Sequence, residues 1–253
     1  NGLGQDFHEL AFAGNASVTQ SASFSGSGIN NGATGSARMG IIGMSAHNTS
    51  PDASSFAAGV VNGGWKETFT VTHPTLAGQA GFLVFEIRAR GTMHVEGLTG
   101  SAYLKTGGFK DNVELAENQY FNRGTAGSPA PGLQEAMWGV ASFGFPDNLA
   151  VDGTVTMSVP ITFGQPFTLG IYAIAVTSQR SSGGVGGSST ATLSFDGDGV
   201  VWNGITAVYN AGAPVSGYGV VSGTATNWSV PQGGCYANCD GSTAAPVLNV
   251  LDF

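Results

Sequence analysis

Apolar and polar residues alternate with a period of two along much of this 253-residue chain. In segment 82–90, Leu83, Phe85 and Ile87 share one phase, while Glu86 shares the other phase with two arginines. Side chains of an extended strand point alternately to opposite faces, so this phase predicts a strand with one face buried and the other in water. A chain built from such segments is expected to fold as an all-β protein.

Further segments follow the same scheme. Segment 66–72 places Phe69 and Val71 on one face, and segment 153–159 does the same with its valines and its methionine. Segment 167–176 is more apolar, which indicates a central strand. Additional strands are predicted at 17–24, 191–195 and 199–203.

Turn signals separate these segments. Asn or Asp together with Gly is typical of tight turns, and Gly pairs add to the signal. Such turns are predicted at Asn31-Gly32, Asn62–Gly64, Thr106–Gly108, Asp152-Gly153 and Asp198-Gly199. Ser- and Gly-rich stretches at 25–36 and 181–189 predict loops, and segment 111–120 fits either a short helix or a strand. Short strands joined by turns favour a jelly-roll-like β-sandwich over residues 1–230, with a short C-terminal extension at 231–253.

Charge is scarce in this chain. Charged residues make up 9% of it and the net charge is −8, whereas an ordinary soluble protein has about 25% charged residues. The eight Lys and Arg are scattered, so no basic patch favours binding of nucleic acid or anionic lipid. No apolar run approaches the roughly 20 residues that a membrane helix needs. A surface of small neutral groups, and an opening at Asn1 without an initiator Met, predict a secreted protein located outside the cell or on its surface.

The two cysteines, Cys235 and Cys239, lie four positions apart. A disulfide across this short loop is expected in an oxidising compartment, and two free thiols are the alternative. Asn-x-Ser/Thr sequons at Asn15, Asn48 and Asn227 predict glycosylation sites if the source has the machinery.

Candidate catalytic groups are few. Segment 43–47 has part of a nucleophile elbow but lacks its closing Gly, and the four His are isolated from one another in sequence. Glu86 and Glu96, predicted on neighbouring strands, are the carboxylate pair that a glycosidase would need. A cross-strand ion pair with the nearby arginines is the favoured interpretation of these glutamates. No catalytic residue is therefore assigned.

Two other features have a structural and a functional interpretation. Segment 195–200 begins like a calcium loop but lacks the later oxygen ligands, so a hairpin turn is favoured. Exposed aromatic rings would bind sugars by stacking, although most of the large aromatics are expected in the core. The aromatic residues available for such a surface are the six Tyr together with Trp65, Trp138, Trp202 and Trp228.

The last nineteen residues resemble the dockerin-like, EF-hand-derived C-terminal segments of secreted proteins from planctomycete-type bacteria. The resemblance is carried by Cys235, Asn238, Cys239, Asp240, Gly241, Ser242, Asn249 and Asp252. It implies calcium as a cofactor, with oxygen ligands from Asn238, Asp240, Ser242, Asn249 and Asp252. An insertion at 243–246 departs from the family's loop, and the tail is expected to be a truncated version of it.

The body of the chain is similar to the Gly/Ser-rich sandwich bodies of secreted bacterial proteins that carry C-terminal sorting tails. The resemblance spans residues 136–229 and is carried by segments 155–163, 164–169 and 220–228. It implies an extracellular location and no particular activity.

The leading functional hypothesis is a non-enzymatic extracellular structural protein, a subunit of a filament or surface layer. Segment 246–253 would pair with the edge of a neighbouring copy by strand addition and so build a homopolymer. Its contacts would come from Val247, Leu248, Val250, Leu251 and Phe253. A tail that packs on its own domain is the alternative. Two other hypotheses stand beside this one: a carbohydrate-binding or adhesion module with a polysaccharide partner, and a glycoside hydrolase.

Overall fold

The computed structural model describes residues 18–26, 29–50, 57–96, 100–124, 142–144, 147–179 and 189–232. These residues form strands and turns, and none of them lies in a helix. In chain order the strands are β1 (Val18–Gly26), β2 (Ile29–Arg38), β3 (Ile41–Ser50), β4 (Ala57–Thr72), β5 (Ala80–Glu96), β6 (Gly100–Lys110), β7 (Val113–Gly124), β8 (Ser142–Gly144), β9 (Asp147–Thr162), β10 (Pro166–Gln179), β11 (Ser189–Asn210), β12 (Ala213–Pro214) and β13 (Gly219–Ser222).

Two sheets pack face to face. Sheet A has the order β1-β2-β3-β11-β5-β9, with β12 beside β11, and sheet B has the order β13-β4-β10-β6-β7-β8. The described pairs are antiparallel except for the short parallel pair of β7 and β8. Strands β3-β11-β5-β9 over β4-β10-β6-β7 have the order of a jelly roll, in which most successive strands change sheet. The predicted all-β, jelly-roll-like sandwich is confirmed.

The core lies between the two sheets and follows the predicted alternation. Leu83, Phe85 and Ile87 are buried, and so are the inward residues predicted for β4 and β9. Strand β10 pairs with β4 on one side and β6 on the other, which confirms that segment 167–176 is central. The period of two therefore determined which face of each strand is buried.

Three tryptophans form the centre of an aromatic cluster. The rings of Trp65 on β4 and Trp228 after β13 stack at 4.9 Å, and Trp202 on β11 stacks on Phe85 at 4.7 Å. Trp202 Nε1 also donates a hydrogen bond of 2.8 Å to the Trp228 carbonyl. Burying one such ring contributes roughly 1.5–3 kcal/mol. The segment after β13 is thus part of the sandwich, and it stays attached as far as Gln232, whose backbone N–H donates to the Trp202 carbonyl.

The predicted turns are wrong, because each of those Asn/Asp/Gly signals lies inside a strand. The glycines are needed there for packing: a Cβ on Gly63 would lie 2.9 Å from Ile42 Cγ2. Hairpin turns occur instead at Asp111-Asn112 and Ala211-Gly212, where φ is 50° and 67°, and 48° and 81°. Positive φ at both central residues is the type I′ geometry that suits the twist of paired strands.

Three other local predictions are also settled by the strands. Segment 195–200 is not a hairpin turn but an irregularity inside β11, because Phe195 pairs with Met44 and Val200 with Ile42. Within the predicted loop at 25–36, residues 29–36 form part of β2. Within segment 111–120, the ambiguity resolves to strand β7 from Val113 onward. Pairing with neighbouring strands therefore decided the conformation of all three segments.

Candidate functional site

The predicted sites of the tail lie outside the described residues. These are the disulfide of Cys235 and Cys239, the calcium ligands between 238 and 252, and the assembly segment 246–253. Asn15 and Trp138 also lie outside them. All of these predictions therefore stay predictions.

The other two sequons lie in different surroundings. Asn48 on β3 is 1% exposed, so a glycan on its amide is incompatible with the packed sandwich. Asn227 is exposed, and its Oδ1 accepts a hydrogen bond of 3.1 Å from the Ser229 backbone N–H. Glycosylation at Asn227 stays a prediction.

The carboxylates considered for catalysis do not form a pair. Glu86 and Glu96 both lie on β5, not on neighbouring strands, and ten positions of extended chain span about 33 Å. Glu86 accepts a hydrogen bond of 2.9 Å from Asn203 Nδ2, while the arginine ion pair joins Arg88 to Asp152 through two hydrogen bonds of 2.9 Å. A glycosidase needs carboxyl groups about 5–10 Å apart, so these two glutamates cannot serve together.

Two further catalytic arrangements find no support in the described part of the chain. Segment 43–47 is an extended piece of β3, whereas a nucleophile elbow needs a sharp turn from strand to helix. The described residues contain no group of three or more His, Cys, Asp or Glu that could hold a metal ion.

The outer face of sheet B carries an aromatic pair. Leu169, Ile171 and Ala173 of β10 point into the core, so Tyr172 points outward. Its register neighbours are Gly64 on β4 and Gly107 on β6. The outward position beside Tyr172 is therefore free of side chains on both neighbouring strands.

The rings of this pair lie side by side on the sheet. A Cβ on Gly107 would lie 2.5 Å from Cε1 and Cζ of Tyr172, so the tyrosine ring covers the space that this glycine leaves open. The Phe109 ring lies 5.0 Å from the Tyr172 ring at an interplanar angle of 31°, and Phe109 is 37% exposed. We call these two rings the aromatic platform. It is a shallow, partly exposed apolar surface.

Polar groups border the aromatic platform. The Tyr172 hydroxyl donates a hydrogen bond of 2.7 Å to Glu114 Oε1 on β7. Lys105 Nζ lies 5.9 Å from the centre of the Tyr172 ring, and the exposed Lys66 lies across Gly170 from Phe109. The platform thus combines an apolar surface with a carboxylate at its border, an ammonium group over the Tyr172 ring, and Lys66 two strands away from Phe109.

The hairpin that carries part of this border is anchored by Asp111. Its carboxylate accepts hydrogen bonds from Lys110 Nζ at 2.7 Å and from the Thr168 backbone N–H at 2.8 Å. The Lys110 side chain, helped by the Thr168 N–H, lowers the pKa of this carboxyl below the usual range. Because Lys110 and Asp111 connect β6 to β7, these bonds fix the positions of Phe109 and Glu114.

A second carboxylate has a structural role. Glu67 on β4 is 6% exposed and accepts hydrogen bonds from the backbone N–H groups of Thr68, Gly223 and Thr224 at 2.7, 3.2 and 3.1 Å. It also accepts one from the Thr224 hydroxyl. These bonds tie the chain after β13 to β4, so Glu67 holds the segment that delivers Trp228 to the core.

The outer face of sheet A has a different composition. One register row runs across five neighbouring strands and consists entirely of hydroxyl side chains. Its members, in spatial order, are Ser21, Thr34, Ser45, Ser194 and Thr92. The next row contains His47, Thr192 and His94 on adjacent strands. These two rows present hydroxyl and imidazole groups, whereas the outer face of sheet B carries the aromatic platform.

Sequence reasoning considered Tyr172 only as one of six tyrosines, predicted a turn at Gly107, and did not consider Phe109. The signal for Tyr172 was available, because it has the outward phase in the predicted central strand 167–176. No local signal indicated that Gly107 would lie beside it, since the register of β6 against β10 is a tertiary property. Trp65, Trp202 and Trp228, considered as sugar-binding groups, are buried in the core.

No helix in the described part of the chain is long and apolar enough to cross a membrane. No model of a known protein family matches the sequence, and no curated protein is significantly similar to it.

Proposed function

We propose that this protein is a non-enzymatic, extracellular carbohydrate-binding module that binds polysaccharide on the outer face of sheet B. The observation that carries the proposal is the aromatic platform, in which the rings of Tyr172 and Phe109 lie 5.0 Å apart on an open sheet. A sugar ring has an apolar face that stacks on aromatic rings and hydroxyl groups that bond polar side chains. Apolar surfaces with a few placed polar groups are the usual form of a ligand site.

The border residues suit a ligand rich in hydroxyl groups. Lys105 and Lys66 are donors and Glu114 is an acceptor, so a sugar on the rings can both accept and donate hydrogen bonds. The platform lies on a sheet face and is flanked by Gly64 and Gly107, so a bound chain can extend past it. Internal units of a long polysaccharide can therefore bind as readily as its ends.

The test is retention of the protein on insoluble cellulose, chitin, xylan and β-1,3-glucan, compared with Tyr172→Ala and Phe109→Ala. Each variant is expected to bind at least about fivefold more weakly, because one aromatic contact contributes about 1 kcal/mol or more. The matched control is Val221→Ala, which removes a side chain that is 60% exposed on β13 of the same sheet. Failure of the unmodified protein to bind any of these polysaccharides, or equal binding by Tyr172→Ala, would overturn the proposal.

A second proposal, assembly by strand addition, is favoured by the edge of β4. On one side β10 pairs with residues 57–70 of β4, and on the other side β13 pairs only with residues 69–72. Within the described chain, no strand pairs with residues 58–67 on that second side. The Thr68 carbonyl accepts the Gly223 N–H and the Ala58 carbonyl accepts Asn31 Nδ2, so the backbone groups of even-numbered residues face this side.

This open edge is the acceptor that strand addition needs. Val60, Asn62, Gly64 and Lys66 present backbone N–H and C=O groups there, and segment 246–253 of a neighbouring copy has the matching length. Pairing of such groups is the interaction by which one chain adds a strand to another.

Assembly is tested by light scattering and electron microscopy of the protein, of a variant that lacks residues 246–253, and of Asn62→Pro. Proline removes an edge-facing N–H but leaves the bonds to β10, so both variants are expected to stay monomeric. Asn62→Ala keeps that N–H and is expected to assemble normally. Assembly that persists without residues 246–253 would contradict this second proposal.

A further inference from the structure

A second row of exposed apolar groups lies on sheet A. Phe82 on β5 is 51% exposed and points to the outer face of the sandwich. Its register partners are Tyr209 on β11 and Pro160 on β9, so a tyrosine, a phenylalanine and a proline lie side by side on three neighbouring strands. We call these three residues the sheet A row. Directly opposed residues have Cβ atoms about 4.5–5.5 Å apart, which makes the row a continuous apolar strip.

The backbone around the row is closely packed. A Cβ on Gly81 would lie 2.5 Å from the Tyr209 carbonyl oxygen and 2.7 Å from Cε2 of the buried Phe163, so only glycine fits there. Asn210 Nδ2 donates a hydrogen bond of 2.8 Å to the Ala80 carbonyl and ties β11 to β5. Phe82 is therefore presented by a backbone held on both sides, as an anchor for a ligand must be.

A shallow depression adjoins Phe82. Its lining comes from the start of β5 and the turn after β11, and it consists of Gln79, Ala80, Gly81, Phe82, Asn210, Ala211 and Gly212. None of these side chains is charged, and Gln79 and Asn210 supply amide groups. An uncharged lining that combines one aromatic ring with amides matches a neutral ligand rich in hydroxyl groups and does not match an ionic one.

We propose that the sheet A row is a second polysaccharide site, specific for neutral chains, and that the protein cross-links polysaccharide. The inference rests on the proposed function of the aromatic platform. The two sites lie on the outer faces of two sheets that pack about 10 Å apart, with the core between them. They face opposite directions, so each molecule holds two separate polysaccharide chains.

The consequence is a difference between binding and bridging. The aromatic platform suffices to hold the protein on a surface, whereas bridging needs both sites at once. A bridging assay measures this directly: protein bound to xylan-coated beads captures fluorescent soluble xylan, with soluble β-1,3-glucan and galactomannan as parallel probes.

Phe82→Ala is expected to stay on the beads but to lose at least about fivefold of the captured soluble chain. Tyr172→Ala should bind the beads at least about fivefold more weakly and capture correspondingly less soluble chain, and the double variant should lose the remaining retention. Val230→Ala removes a side chain that is 46% exposed elsewhere and serves as the control, expected to behave like the unmodified protein. Denaturation midpoints of all variants verify that each one is folded.

The outcomes separate the two proposals. Retention that depends on Tyr172 together with normal bridging by Phe82→Ala would overturn the second site and leave the proposed function intact. Equal capture of a polyanionic chain such as alginate would overturn the assignment to neutral ligands. Absence of retention on every polysaccharide would overturn both.

Discussion

The outer faces of the two sheets derive from the same period-two pattern yet present different chemistry. Along most of sheet A, the face has a row of hydroxyl groups and an ion pair between Arg88 and Asp152. On sheet B, the face has the aromatic rings of Tyr172 and Phe109 beside glycines. The alternation decides only which residues point outward. The use of each face depends on which outward residues the strand register brings together.

Two glycines, Gly107 on sheet B and Gly91 on sheet A, have different roles. On sheet B, the three atoms nearest to a Cβ on Gly107 would all belong to the side chain of Tyr172. On sheet A, a Cβ on Gly91 would meet the Ser194 carbonyl oxygen and lie 2.6 Å from Cγ of the fully buried Phe195. The first glycine makes room for a surface ring, whereas the second makes room for the core and a neighbouring backbone.

The largest expected effect contrasts one carboxylate from each sheet. Glu67→Ala removes the acceptor of three backbone N–H groups and one hydroxyl, and it should lower the free energy of unfolding by about 3 kcal/mol. Asp152→Ala breaks an ion pair whose side chains are 36% and 53% exposed, and it should cost about 1 kcal/mol or less. Urea denaturation of both variants measures the difference.

Glu67→Gln is the matched control for that contrast. It keeps the size of the side chain and one carbonyl oxygen, so its loss of stability should lie between those of the other two variants. Equal destabilisation by Glu67→Ala and Asp152→Ala would show that the buried carboxylate contributes no more to the free energy of unfolding than the exposed ion pair does.

The next effect compares the two glycines directly. Gly91→Val should destabilise the protein by roughly 1–3 kcal/mol, because the new side chain overlaps a backbone oxygen and a core ring. Gly107→Val should cost less stability, because the exposed side of the Tyr172 ring leaves it room to swing away, but it should weaken polysaccharide retention about as much as Tyr172→Ala does. Denaturation and bead retention are measured on both variants. Normal retention by Gly107→Val would show that polysaccharide binding does not depend on the position of the Tyr172 ring.

The smallest effect concerns acid. The pKa of Asp111 is lowered by Lys110 and the Thr168 N–H, so its carboxylate stabilises the folded state above the pKa of the unfolded chain. That contribution is lost as the pH falls through the lowered folded pKa, which places the window below about pH 4. The side chain is 49% exposed, so solvent limits the effect to below about 1 kcal/mol.

Asp111→Asn tests this point without disturbing the turn, since asparagine tolerates the φ of 50° found there. The unmodified protein should lose more stability than this variant between pH 5 and pH 2, as measured by thermal denaturation. Parallel pH curves would show that the Asp111 carboxylate contributes nothing to anchoring the β6–β7 hairpin.

Several parts of the fold were predictable from the sequence. The buried phases of 82–90 and 153–159 and the central position of 167–176 follow from hydrophobic alternation, which is a local property. The turns were not predictable in this way, because Gly63 and Gly107 are explained by partners distant in sequence. Glu67 shares the inward phase of Phe69 and Val71, a signal that indicated a buried carboxylate, but its partners at 223 and 224 could not be inferred.

Strands with one apolar face and a surface poor in charge follow from the amino-acid sequence alone, because period and composition are properties of neighbouring residues. The contact of Tyr172 with Phe109, and the position of Phe82 between Tyr209 and Pro160, depend instead on how the two sheets are assembled. Strand register between distant segments is set by the combined packing of two sheets. No short stretch of sequence contains that information, so both candidate sites appear only in the folded sandwich.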